Sequence, residues 1–150
     1  MRILPRGIRR PLVVGAAMEQ PLDAIRARIP EFAGYSDEVA RRLADEQIRG
    51  LVGEALALLN ERHAEYFAGE VATSYDALIR RCEFVNQTIF RFIEYAALSD
   101  EDKVVLARVD MALVDKAGQA EAVTAETLAD YLRDLDAAFD HRDGAITAAV

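Results

Sequence analysis

The chain has no tryptophan, one cysteine, two histidines and four prolines in 150 residues. A lone Cys82 excludes an intramolecular disulfide and fits a reducing cytosol. Scarce proline, with Ala, Leu and Val supplying most of the 52% hydrophobic content, argues for helices over turn-rich sheets. No apolar run approaches the ~20 residues of a membrane-spanning helix. The start, with four arginines and then Leu12-Val13-Val14-Gly15-Ala16-Ala17-Met18, resembles a poor signal peptide whose apolar core is too short. We therefore expect a cytoplasmic protein without a membrane partner.

Two lysines stand against sixteen arginines, a lineage bias of bacterial type rather than recognition chemistry. The first 18 residues hold Arg2, Arg6, Arg9 and Arg10 and no acid, so the rest of the chain sits near −12 within a total of −8. A body that acidic repels phosphate backbones, which argues against nucleic-acid binding.

Metal and cofactor chemistry is poorly supplied. A carboxylate-bridged di-iron bundle needs Glu-x-x-His pairs, yet Asn60 precedes His63 by three residues and Ala138 precedes His141. Glu61, His63 and Glu65 cluster in sequence but diverge around a helix, and a zinc site needs three or four convergent ligands. His141 reads as a cation near a helix C-terminus. No nucleophile elbow, phosphate-binding glycine loop or Cys-x-x-Cys is present. No catalytic residue, metal ligand or cofactor is assigned.

What the chain does carry is helical period. Val71, Tyr75, Leu78, Cys82, Val85, Ile89, Phe92 and Ala96 recur at alternating steps of four and three, one stripe along a helix of roughly 40 Å. Its flanks hold Ile79 and Ile93 rather than paired charges, so it reads as the spine of a bundle, not a free zipper. Cys82 in that stripe reads as a core thiol. Glu83 and Glu94 on the same helix are the most plausible buried carboxylates.

Capping signals bound the other helices. The spacing predicts an all-α bundle of four main helices, at about 36–67, 70–98, 100–117 and 125–141, plus a short helix at about 22–29. Ser36, Ser99 and Thr124 are the expected N-caps, and Gly69, Gly118 and Gly144 follow the expected C-termini. Residues 1–20 read as a basic, weakly ordered arm, 21–144 as one domain and 145–150 as a tail. Phe32 and Tyr35 read as aromatic anchors of the turn after Pro30.

One face of the second helix holds Gly50, Gly53, Ala57, Asn60 and Ala64 at the same four-three spacing. Interior glycines cost roughly 1 kcal/mol each in a helix, which close approach of another backbone would offset. The partner is either the 22–35 segment or a second subunit, and a homodimer is expected. Phe84 lies off the stripe among Arg80, Arg81, Gln87 and Arg91, a candidate surface contact. The functional expectation is a non-enzymatic adaptor or regulator acting through protein contacts. A bundle enclosing an apolar small ligand against Tyr75, Cys82, Phe90 and Phe92 is the alternative, and a metal-dependent or other enzyme the third reading.

Overall fold

A computed structural model describes the backbone from Ile3 to Val150 and side chains from Ala16 onward. It is all-α, with helices α1 (Ile3–Arg28), α2 (Glu38–His63), α3 (Glu70–Glu83), α4 (Gln87–Tyr95), α5 (Asp100–Gly118) and α6 (Leu128–Ala149). No strand occurs among the described residues. Of the expected weakly ordered arm at 1–20, residues 1–2 lie outside the described residues and the backbone of 3–20 belongs to α1, which also takes in most of the expected short helix at 22–29. Pro21 sits inside α1 with its ring buried.

The start of each long helix follows local chemistry. Asp37, one residue past the predicted Ser36, caps α2 by accepting from the Ala40 amide at 2.8 Å. Ser99 opens α5 with a reciprocal capping box, its hydroxyl bonded to the Asp102 amide and the Asp102 carboxylate to its own amide. Thr127, not Thr124, occupies the N-cap position of α6. That helix does not stop at His141-Arg142, because Gly144 is accommodated within it and Ile146 is fully buried one turn later. The 145–149 tail is therefore helix.

The predicted 70–98 helix is two helices. Phe84, Val85 and Asn86 leave helical geometry, Phe84 at φ −118, ψ 135 and Asn86 at φ −79, ψ 172. Asn86 then caps α4 by accepting from the Ile89 amide at 2.8 Å. The stripe is accordingly not the spine of the bundle. That place is taken by α5, which packs against α1, α2 and α6 and buries Leu106, Ala107, Leu113 and Val114. The stripe's Val71, Tyr75 and Cys82 are only partly covered.

The core unites Ile48, Val52, Leu56 and Leu59 of α2 with those α5 residues and with Leu128, Leu132, Leu135 and Phe139 of α6. Phe32 and Tyr35 enter it from the α1–α2 turn, their rings edge-to-face at 5.8 Å. Gly34 between them has φ +76, a conformation that lets the short turn send both rings inward and that other residues adopt only with strain.

Candidate functional site

The most unusual chemistry in the bundle is enclosed charge. Asp45 on α2, Asp110 on α5 and Arg142 on α6 are 0%, 1% and 2% exposed. Arg142 Nη1 donates to Asp45 Oδ1 at 2.9 Å and its Nε to Asp110 Oδ1 at 2.6 Å. Each carboxylate has a second donor: Arg49 Nε reaches Asp45 Oδ2 at 2.8 Å, and the Tyr35 hydroxyl reaches Asp110 Oδ2 at 2.6 Å. Two arginines thus balance two aspartates, and every carboxylate oxygen of the node is engaged. Burial alone would lower the Arg142 pKa, but the charges of Asp110 and Asp45 outweigh it and hold the guanidinium charged. Burial first, and then the Asp110 charge, push the Tyr35 phenol well above its ordinary value, so it stays a donor. This saturated geometry welds α2, α5, α6 and the turn together and leaves no free acid, base or nucleophile.

The same α2 face extends the pattern at four-residue steps: Arg41, Asp45, Arg49. Arg49 Nη1 donates to the Cys82 carbonyl at 2.8 Å, at the end of α3. Arg41 Nη2 donates to the Ile93 carbonyl at 2.9 Å, at the end of α4. Each arginine therefore sits where a helix presents unpaired carbonyls and partial negative charge. Arg41 is 7% exposed and its Nε has no partner, so its fit is less complete than that of Arg49.

A second charged clamp lies near the surface. Arg81 of α3 pairs with Asp136, Asp140 and Asp143 along α6 at 2.6, 2.9 and 2.9 Å, over the Phe139 ring at 5.0 Å. His63 contacts the Val123 carbonyl at 3.0 Å, and His141 is exposed. Neither histidine belongs to a group of three or more potential metal ligands, and no such group exists among the described residues. Glu83 is exposed and Glu94 pairs at 2.6 Å with exposed Arg42. The buried carboxylates are Asp45 and Asp110 instead. An acid four residues from an arginine on either side, next to Ala44 and one turn from Ile48, was the sequence signal that could have found Asp45. Arg142 carried none, because His141-Arg142 before Gly144 also fits a helix end.

The expected ligand-lining set does not converge. Phe92 is 2% exposed in the core, Phe90 is 43% exposed, and Tyr75 and Cys82 are half-buried at separate points. Burial raises the Cys82 thiol to about 11, which removes nucleophilic character at neutral pH. The hollows present lie elsewhere. One of about 320 Å³ separates α3 from α6, between Val71, Ser74, Ala77, Leu132 and Arg133. A shallower one borders Gly50, between Ile29, Pro30, Gln47 and Leu51.

The small-residue seam is open rather than packed. A methyl group on Gly50 or Gly53 would meet nothing within 4 Å, and Ala57, Asn60 and Ala64 are exposed. The 22–35 segment does not close over these glycines. Apolar side chains are exposed at other points. Val39 and Leu43 of α2 are 74% and 45% exposed, and Phe84, Val85 and Phe90 are 66%, 43% and 43% exposed. Arg42–Glu94 and Arg49–Cys82 tie α2 to α4 and to the end of α3. No described helix is long and apolar enough to cross a membrane. Comparison with protein-family models, with curated proteins and with solved structures gives no match to this chain.

Proposed function

We propose that the protein acts through protein–protein contacts, as an adaptor or regulator, and that it does so as a homodimer. The observation that carries this reading is the exposure of consecutive Phe84 and Val85 at the α3–α4 break, with Phe90 one turn into α4. Apolar side chains clustered with aromatics are typical contact surfaces, whereas scattered single ones need no explanation. The enclosed charges support the same reading from the other side, since their hydrogen bonds are spent on holding helices together.

Light scattering on the purified chain tests it. The expected mass at tens of micromolar is twice the 16.6 kDa of one chain. Phe84→Ser combined with Phe90→Ser removes exposed aromatics only, so its melting temperature stays close to the parent's. Its self-association weakens at least tenfold. A monomer of 16.6 kDa at every concentration overturns the homodimer. An unchanged association in the double variant removes this surface from it.

A further inference from the structure

We propose that the Phe84–Asn86 break is a hinge, at which α3 and α4 fuse into one helix when two chains exchange residues 87–150. The proposal rests on the homodimer reading and specifies how that dimer forms.

The break's one local signal is the Asn86 cap of α4, which suits a helix start without forbidding a continuous helix. Glycine is absent between Gly69 and Gly118, and proline is absent after Pro30, although short connections normally use such residues to leave a helix. The apolar stripe also keeps its phase across the gap: Leu78 and Cys82 before it, Val85, Ile89 and Phe92 after it. A sequence meant to turn a corner has no reason to preserve a helical register through it. Straightened, the segment would give the amides of Val85, Asn86, Gln87 and Thr88 carbonyl partners four residues back. One of those carbonyls, that of Cys82, is held instead by Arg49 at 2.8 Å. The unbroken stripe therefore favours one helix, whereas the Asn86 cap and the α2 contact to the Cys82 carbonyl hold two.

The fold makes exchange the natural way to straighten. Helices on opposite sides of the hinge depend on each other, α1 on α5, α2 on α4 and α5, and α3 on α6. Opening the hinge within one chain would part α4 from α2, α5 from α1 and α2, and α6 from α3. Exchange with a second copy restores each of these contacts between chains, including the Arg142 node, and adds the missing helical hydrogen bonds. It also brings two straightened helices past one another at the hinge, where Phe84 and Val85 now face water. Exchange of identical elements is a low-cost route to dimers for this reason.

Gln87→Pro separates the two forms. Gln87 is the first residue of α4 and follows an extended Asn86, where proline is well tolerated, whereas inside a continuous helix it removes a hydrogen bond and clashes with the carbonyl four residues back. Wild type refolded at high concentration is expected to be dimeric, and Q87P to be monomeric with at least tenfold weaker association. Independently, R42C with E94C in a C82S background, linked by a bis-maleimide long enough to span the space of the Arg42–Glu94 pair, joins α2 to α4 across the hinge. Exchange makes that cross-link intermolecular, giving a covalent dimer on a denaturing gel. A dimeric protein whose cross-link closes within one chain overturns the exchange and leaves the homodimer standing, whatever Q87P does. A wild type that stays monomeric after such refolding overturns both. Should Q87P fail to fold, the cysteine pair decides alone.

Discussion

Where α2, α5 and α6 meet, the bundle encloses Asp45, Asp110, Arg49 and Arg142 almost completely, whereas at the α3–α4 break it leaves Phe84 and Val85 in water. A simple oil-drop picture predicts the opposite for both regions. The first is permitted because each charge meets an opposite charge and hydrogen bonds, without which burial would be prohibitive. The second has no such compensation inside the chain. The contrast separates residues that hold the fold from residues left free for the proposed contact between chains.

The sharpest way to break the comparison is Arg142→Leu, which leaves two enclosed carboxylates without their shared cation. Removing one partner of a buried pair costs about 3–5 kcal/mol, so the urea midpoint should fall by most of the protein's margin. A loss below 1 kcal/mol would mean that the node does not cross-link the helices. Tyr35→Phe is the milder cut, removing the donor to Asp110 at a cost of about 1–3 kcal/mol.

Alkaline titration sharpens the same point. Because folding raises the Tyr35 pKa, its contribution is complete below the unfolded value near 10 and is lost as pH climbs through the folded value. Tyr131, raised by burial to about 12, acts in the same direction. The urea midpoint should therefore decline from pH 10 upward, and less steeply in Tyr35→Phe.

On the exposed side, Gly53→Leu enters open space and replaces a poor helix former. It should stabilise the chain by roughly 0.5–1 kcal/mol and leave a hinge-exchanged dimer intact. Loss of the dimer in light scattering would instead place the seam on the α2 glycines. The smallest effect is kinetic: Cys82, with a pKa near 11, should react with a disulfide reagent at pH 8 roughly a hundredfold more slowly than a free thiol.

The helical class, the Ser99 cap and the Phe32–Tyr35 anchors were readable because each depends on neighbours within a few residues. The predicted 70–98 helix divides at Phe84–Asn86, where the apolar pattern is uninterrupted and the Arg49 contact to the Cys82 carbonyl and the Asn86 cap end one helix and begin the next. Glu83 and Glu94 drew attention as acids on an apolar helix, yet neither packs inward. Asp45 and Asp110 were passed over because isolated acids look alike until their partners are in place. Phe84, which drew attention as an aromatic among polar residues, is exposed at the break, outside both helices.

Composition and period determined an acidic all-α bundle, since helix propensity and amphipathic spacing act over one or two turns. Which charges are enclosed, which glycines stay open and where the long stripe breaks were decided by tertiary structure. Asp45 lies 97 residues from Arg142 and Tyr35 lies 75 from Asp110. Contacts at such separations carry no local periodic signal, and only the packed helices bring them within hydrogen-bonding reach.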